Sequence, residues 1–196
     1  MSENQIPKND VVKQPWTLRR MIKEWWDVAV ILLAVFVVFR FILQIAWVPS
    51  GSMETTIPTK CMLLGYRLPY AVSDPIPERG DIVTFWSEEL GKVLVKRTIG
   101  LPGDEVSFAD GYVYINGEKL EEEYLPARGI TECDRTFVVP EGCVFFLGDN
   151  RTGSLDARFW FDPYVEADEL QARPFLAISL GRDQSWTGVR FLSRGE

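Results

Sequence analysis

The stretch WWDVAVILLAVFVVFRFILQIAW, residues 25–47, decides how the rest of the chain is organised. Val28–Phe39 is an uninterrupted run of twelve apolar residues, and the apolar character continues past Arg40 to Trp47. With two polar residues tolerated, the stretch approaches the ~20 residues that an α-helix needs to cross a hydrocarbon layer of ~30 Å. We therefore predict a transmembrane anchor over residues 25–48.

Two other interpretations of this stretch have to be weighed. A cleaved signal peptide would begin earlier and would be followed by a small-residue cleavage site of the usual kind. A buried core helix would explain Arg40 and Gln44, which suit a lipid-facing surface poorly. Tryptophans at positions 25, 26 and 47 stand where interfacial aromatic belts belong, and they favour the anchor.

Basic residues before the stretch set the expected orientation. Arg19, Arg20 and Lys23 precede it, and the cytoplasmic flanks of membrane helices are enriched in Lys and Arg. We expect residues 1–24 on the cytoplasmic side, beginning with a disordered polar tail, and residues 49–196 on the opposite side as one extracytoplasmic domain.

The composition excludes several classes of protein. Residues 41–196 hold fifteen basic and twenty-four acidic side chains, a net charge of −9. Such a body binds nucleic acid poorly, because phosphate contacts need clustered Lys and Arg. The chain has no histidine and three cysteines. Cys/His and four-cysteine zinc sites, a Ser-His-Asp triad and sortase-type Cys-His chemistry are therefore excluded, and a serine nucleophile would need another base.

Behind the anchor the sequence changes to short apolar stretches separated by turn signals, without a long helical period. The pairs Asp110-Gly111 and Asn116-Gly117 are typical hairpin turns. Charge and proline content predict a loop over EEEYLPARG, residues 121–129. The fold class is therefore mainly β on a helical anchor, with strands predicted in DIVTFW, KVLVKRTI, EVSFADGYVYINGEKL, TFVVPEGCVFFLGDN and PFLAISL.

Three polar motifs are candidates for chemistry, and each also has an ordinary structural interpretation. SGSM, residues 50–53, could be a turn leaving the membrane. In VLVKRTIGLPGD, residues 93–104, Lys96 interrupts an apolar strand and could face solvent. If it points inward, desolvation lowers its pKa and makes it a base at neutral pH. GDNRTGSLDARFW, residues 148–160, could be a polar turn tied by ion pairs.

Taken together, and with GDIVTF at residues 80–85, these motifs resemble bacterial signal peptidase I, a membrane-anchored endopeptidase with a Ser-Lys dyad. The resemblance covers residues 25–165, and the tail GVRFLSRGE is similar to the family's terminal strand. It implies a β-rich catalytic core with a smaller β insertion over residues 106–138. It also implies preproteins with signal peptides as substrates, a place in the bacterial cytoplasmic membrane, and neither cofactor nor metal.

The resemblance assigns roles to individual residues. Ser52 is expected to be the nucleophile, Lys96 the general base, and Ser154 the hydroxyl that orients the lysine amine. Ser50 is expected to donate to the oxyanion, together with the backbone N–H of Ser52. Strand alternation should turn Arg97 away from Lys96 towards a carboxylate. The supporting ion-pair positions are Arg97, Asp149, Asp156 and Arg158.

The resemblance also implies shallow apolar pockets for small substrate residues one and three places before the cut. The apolar residues that flank the catalytic pair are expected to line them: Val48, Pro49, Met53, Ile57, Leu94 and Val95. Thr55, Ala157 and Phe161 depart from the family's usual Pro, Ser and Gly, and these departures bear on substrate preference and loop geometry.

Three alternatives stay open at this stage. A relative with the same chemistry could be a conjugation-associated peptidase or a self-cleaving repressor, although a repressor would need DNA-binding helices and no anchor. A tethered β module could bind an extracytoplasmic partner without catalysis, but it would not need a buried amine beside Ser52. In an oxidising compartment Cys133 and Cys143 could form a disulfide, which spacing alone does not decide.

Overall fold

The computed structural model describes residues 18–54, 56–72, 76–179 and 187–192. The chain divides into an N-terminal unit that ends at Val37 and a second unit, Val38–Glu196. The predicted disordered tail, the side chains of the basic flank and Thr55 lie outside the described residues.

The N-terminal unit contains helix α1, Leu18–Val37, and a π-helical turn, Val38–Ile42, follows it at the start of the second unit. The segment Trp25–Ile42 is long and apolar enough to cross a membrane, and none of its residues is buried. A core helix would bury one apolar face, so this exposed surface does not fit the core-helix interpretation. Together with the sequence, the helix suggests a membrane anchor.

The C-terminal boundary that the sequence predicted for the anchor needs correction. Leu43–Val48 is not helical but forms strand β1, which pairs antiparallel with Cys61–Tyr66, strand β2. The side chain of Gln44 explains part of this, because it donates to Gln171 and accepts from Thr84 within the sheet. The helical part therefore ends at Ile42.

In the described part of the chain, twelve strands form two antiparallel sheets, which confirms the predicted mainly β class. The main sheet has the order β1-β2-β11-β3-β4-β9-β10, with β12 paired to β11, and the smaller sheet has the order β7-β6-β5-β8. After β1 and β2 the strands are β3 Ile82–Ser87, β4 Lys92–Gly100, β5 Glu105–Ala109, β6 Tyr112–Ile115, β7 Glu118–Lys119, β8 Phe137–Val138, β9 Cys143–Leu147, β10 Tyr164–Glu166, β11 Leu170–Ser179 and β12 Gly188–Phe191.

Two short helices complete the described secondary structure. Helix α2, Leu68–Val72, follows β2, and a 3₁₀ turn, Ala167–Glu169, links β10 to β11. Both lie in connections between strands of the main sheet.

The smaller sheet coincides with the predicted β insertion. Its turns form where the sequence predicted them. Asp110 and Asn116 adopt φ values of 50° and 54°, and Gly111 and Gly117, which follow them, adopt 78° and 82°. Consecutive positive φ values are the geometry of the type I′ hairpin turn. The predicted loop, residues 121–129, contains no strand.

Two apolar clusters hold the second unit together. The larger cluster includes residues from both sheets, and the rings of Phe137 and Phe145 lie 4.7 Å apart across them. The smaller cluster lies behind the loop after β1 and contains Val48, Met53 and Ile57. The three cysteines are all free thiols in this structure, so no Cys133–Cys143 disulfide is present.

Candidate active site

The loop that carries Ser50 and Ser52 is held at both ends and from below. Its ends are closed by the backbone hydrogen bond from Lys60 N to Val48 O, 2.8 Å long. Ser50 is exposed and Ser52 is partly exposed, so both face the surface. The loop is fixed to the sheet by Met53, whose side chain is fully buried.

Lys96 lies in the middle of β4 and points into the protein. Its side chain is 2% exposed, and Nζ donates to the Ser154 hydroxyl at 3.1 Å. Burial lowers the pKa of Lys96 to about 8, against the opposing effect of the Asp156 and Asp149 charges. The amine is therefore neutral at a much lower pH than an ordinary lysine.

Arg97 points to the other face of β4, as strand alternation predicted, and binds Asp149. Its Nε and Nη2 donate to Oδ1 and Oδ2 at 2.8 and 2.6 Å, and Nη1 donates to Gly80 O at 2.8 Å. Both partners are almost completely buried. Burial by itself would lower the pKa of Arg97, but the hydrogen bonds and charge of Asp149 raise it above the ordinary value.

Asp156 and Arg158 form a second buried pair on the same side of the site. Arg158 Nε and Nη2 donate to the Asp156 carboxylate at 2.8 and 3.0 Å. The same carboxylate accepts from Gly148 N at 3.0 Å. The pair therefore positions the start of the segment that follows β9.

This segment, residues 148–151, connects the candidate residues to one another. Asn150 N donates to Ser52 O at 3.1 Å, and Asn150 Nδ2 donates to Gly51 O at 2.9 Å. A Cβ atom built on Gly148 would lie 2.2 Å from Ser154 Oγ and 2.5 Å from Ser52 O. The Ser52 carbonyl and the Ser154 hydroxyl, which binds Lys96, therefore both pack against Gly148.

A cleft of about 300 Å³ opens beside Ser52, between β1 and β4. Ser50 and Ser52 line it, and so do four of the six predicted pocket residues: Val48, Pro49, Leu94 and Val95. The other two, Met53 and Ile57, differ from the prediction. They are fully buried in the smaller apolar cluster, because the loop needs apolar side chains to fix it to the sheet.

Two polar residues of the site were missed by the sequence analysis. Thr56 Oγ1 donates to Asp149 Oδ2 at 2.5 Å, and Asn150 makes the two bonds to the serine loop. Asn150 stands inside the GDNR motif, and its neighbours there were singled out. Thr56 carries no such signal, since only the fold brings it to Asp149.

The described residues contain no group of three or more His, Cys, Asp or Glu side chains that could hold a metal ion. A larger cleft of about 580 Å³ is lined by residues such as Trp86, Glu88 and Asp168 and by none of the predicted catalytic residues. The 300 Å³ cleft is therefore the one that fits the chemistry.

Comparison with known proteins gives a consistent result. Residues 21–178 match the model of a family described as signal peptidase, peptidase S26. A probable signal peptidase I-2 of Synechocystis sp. is 37% identical over 142 residues, covering 69% of this chain and 63% of that protein. Signal peptidase I of Pseudomonas aeruginosa is 29% identical over 183 residues, covering 74% and 64%.

The chain therefore spans slightly less than two thirds of the length of these two relatives. A crystal structure of a signal peptidase I from Enterococcus faecalis V583 is 36% identical, with a TM-score of 0.45 over 50% of this chain and 95% of that chain.

Gly148→Ala should lower any hydrolytic activity of this site roughly a hundredfold while leaving the protein folded. The added methyl group would overlap both Ser154 Oγ and the Ser52 carbonyl, and the latter is backbone that has no alternative rotamer. A displacement of the reacting groups by about 1 Å costs roughly a hundredfold in rate. Single-turnover assays would measure the rate, with circular dichroism as the check on folding. A wild-type rate would show that the segment 148–151 accommodates the methyl group without displacing Ser52 or Ser154.

Lys96→Met should stabilise the protein at neutral pH. The folded pKa of about 8 lies below the unfolded value of 10.5, so burial of the amine is unfavourable below pH 8 and this cost fades as the pH rises to 10.5. We expect the free energy of unfolding to rise by roughly 1–3 kcal/mol at pH 7. This range already subtracts the hydrogen bond to Ser154 that the substitution removes.

Urea denaturation in detergent at pH 7 and at pH 10.5 would test this stabilisation. The matched control is Lys60→Met, which removes an exposed lysine that is not among the charges acting on Lys96 and should change little. A stability gain that is equal at both pH values would contradict the desolvation argument.

Proposed function

The chain belongs to the signal peptidase family, peptidase S26, and on that basis we propose that it is a signal peptidase I, a membrane-anchored serine endopeptidase that removes signal peptides from exported preproteins. The observation that carries the proposal is the buried Lys96 amine, bonded to Ser154 and reached through Gly148 from the Ser52 backbone. This arrangement supplies a base to a serine in a chain without histidine.

In the proposed reaction the neutral Lys96 amine accepts the proton of Ser52 Oγ. The oxygen then attacks the scissile carbonyl carbon and forms a tetrahedral intermediate. The oxyanion is stabilised by the Ser50 hydroxyl and the Ser52 backbone N–H, both beside the cleft. When the C–N bond breaks, the lysine ammonium returns its proton to the leaving amine. Water, deprotonated by the same amine, hydrolyses the acyl-enzyme and regenerates Ser52.

Ser154 has a different role in this scheme. Ser154 is a buried residue whose hydroxyl accepts from Lys96 Nζ, so it fixes the direction of the amine without adding charge. Arg97 and Arg158 neutralise the two carboxylates nearby. This limits how far those charges stabilise the ammonium form of Lys96.

The proposed substrates have small residues one and three places before the cut. Four apolar side chains of the cleft, Val48, Pro49, Leu94 and Val95, support this, because apolar walls accept a methyl group without leaving a polar group unpaired.

The proposed location places the cleavage reaction at the outer face of the cytoplasmic membrane. The exposed apolar segment Trp25–Ile42 supports a single span, and Arg19, Arg20 and Lys23 support a cytoplasmic N-terminus. The scissile bond of an exported preprotein emerges on the opposite side. Attaching the nucleophile close to the membrane would supply proximity to this bond.

Cleavage of a preprotein by the detergent-solubilised full chain tests the function. Mass spectrometry should show release of the signal peptide by the wild type and none by Ser52→Ala. Lys96→Arg should be as inactive as Lys96→Ala, because a guanidinium stays charged and cannot act as a base. Cleavage should rise with pH on a limb near the Lys96 pKa of about 8.

The matched substrate for this experiment carries Phe instead of Ala directly before the cut. It should resist cleavage, since the aromatic ring does not fit a small apolar pocket. An active Lys96→Arg enzyme with the wild-type pH profile would refute the Ser-Lys mechanism, and efficient cleavage after Phe would refute the pocket assignment.

Protease added to intact spheroplasts tests the orientation. We expect digestion of the domain after Val48, because the basic flank retains the N-terminus in the cytoplasm. A tag at the N-terminus should remain protected until the membrane is permeabilised. Protection of the catalytic domain in intact spheroplasts would contradict both the topology and the proposed function.

A further inference from the structure

The loop between β7 and β8, residues 120–136, reaches from the smaller sheet to the segment 148–151. Glu122 binds Arg151 with both carboxylate oxygens, at 3.0 Å to Nη1 and by a second, shorter bond to Nη2. The Arg151 side chain is 0% exposed and that of Glu122 is 6% exposed. Thr131, at the far end of the same loop, accepts from Arg151 Nη1 at 2.7 Å.

Tyr124 makes the second contact between this loop and the catalytic core. The guanidinium of Arg97 lies over its ring at 3.7 Å, and its hydroxyl donates to Glu122 Oε1 at 2.6 Å. Burial raises the pKa of Tyr124, and the charge of Glu122 raises it further, so the ring stays neutral. A neutral aromatic face attracts a desolvated arginine without competing for its hydrogen bonds.

Arg151 and Arg97 are both bound to the active-site segment. Arg151 Nε donates to Gly148 O at 3.0 Å, and Arg97 holds the Asp149 carboxylate. The same segment holds Ser52 through Asn150 N and packs Gly148 against Ser154. Displacement of either arginine would therefore be transmitted to the nucleophile and to the hydroxyl that binds the base.

We propose that Glu122 and Tyr124 are positioning residues, through which the smaller sheet holds the segment 148–151 in the geometry that Ser52 and Lys96 need. The inference rests on the proposed function, since it assigns a role towards those two residues. Neither side chain lines the 300 Å³ cleft, and both act through the arginines that they contact.

The polar contacts are not needed to attach the smaller sheet. The two sheets already share the larger apolar cluster, in which Phe137 packs against Phe145 and Val106 is fully buried. Desolvating Glu122 and Arg151 costs free energy that their attraction only partly returns, so apolar side chains would stabilise this junction at least as well. An ion pair instead fixes direction, because its two parallel hydrogen bonds allow one orientation of the guanidinium.

The arrangement also predicts a change in the pH dependence of activity. The charged groups that act on Lys96 are Asp156, Asp149, Lys92 and Arg158. If Arg97 loosens, the charge of Asp149 is less well neutralised and stabilises the ammonium form of Lys96. The rising limb of the pH profile should then move to higher pH. A smaller fraction of folded protein would lower the amplitude of the profile but would leave its midpoint unchanged.

The test compares two pairs of variants of the full chain in detergent, with a preprotein as substrate. Glu122→Gln is matched by Glu121→Gln, an exposed neighbour on the same loop. Tyr124→Leu, which removes the ring, is matched by Tyr124→Phe, which keeps the ring over Arg97. We expect Glu122→Gln and Tyr124→Leu to lower kcat roughly ten- to a hundredfold with little change in KM, and to shift the limb upward.

Glu121→Gln should behave like the wild type, and Tyr124→Phe should recover most of the activity lost in Tyr124→Leu. All rates are normalised to the folded fraction measured by near-ultraviolet circular dichroism. An activity loss that merely follows the folded fraction, with an unchanged midpoint, would overturn the proposal and assign the loop to stability. So would complete unfolding of both test variants, or equal losses in Tyr124→Leu and Tyr124→Phe.

Failure of the proposed function gives a different result from failure of this inference. An inactive wild type, or an active Ser52→Ala enzyme, would refute the peptidase assignment before any loop variant is compared. Normal cleavage by the wild type together with normal pH profiles in Glu122→Gln and Tyr124→Leu would refute only the positioning role.

Discussion

Desolvation of the Lys96 amine is the constraint on which the site depends. Burial lowers the pKa of the amine, but two carboxylates close by, Asp149 and Asp156, act in the opposite direction. Each carboxylate is paired with an arginine through two hydrogen bonds, so the pairs present much less net charge to the amine than free carboxylates would. The buried arginines therefore help to keep the pKa of Lys96 below its ordinary value.

Strand alternation lets β4 both bury the Lys96 amine and pair Asp149 with an arginine. Consecutive residues of β4 point to opposite faces, so Lys96 turns to Ser154 while Arg97 turns to Asp149. The residues that bind them stand close together along the chain, in the short connection after β9. Because the segment 148–151 also holds the serine loop, small movements of one turn affect Ser52, Lys96 and the ion pair together. Because so many contacts converge on this segment, Gly148 has no room for a methyl group.

Local signals in the sequence predicted the elements that depend on local physics. Period-two strands and the Asn116-Gly117 turn were confirmed because side-chain alternation and positive φ are set by a few neighbouring residues. The residues 43–48 were assigned to the anchor because a short apolar run suits a helix and a strand equally well, and only pairing with β2 decides. Met53 was expected in the cleft for its closeness to Ser52, although burial depends on the sheet beneath it. Glu122 stands between two other glutamates, and no local signal marks it as the one that meets Arg151.

The base that we propose, Lys96, has a consequence that an imidazole would not have. With a pKa of about 8, about a tenth of Lys96 is neutral at pH 7, whereas an unperturbed lysine with a pKa of about 10.4 would be neutral in fewer than one molecule in a thousand. Burial thus raises the fraction of neutral amine by more than about a hundredfold, and it leaves an amine that is a stronger base than imidazole once neutral. The cost is a buried ionisable group that destabilises the fold at neutral pH. The residues around Lys96 must therefore be rigid, because water reaching the amine would return its pKa to the ordinary value. The two-sheet core and its buried ion pairs supply that rigidity.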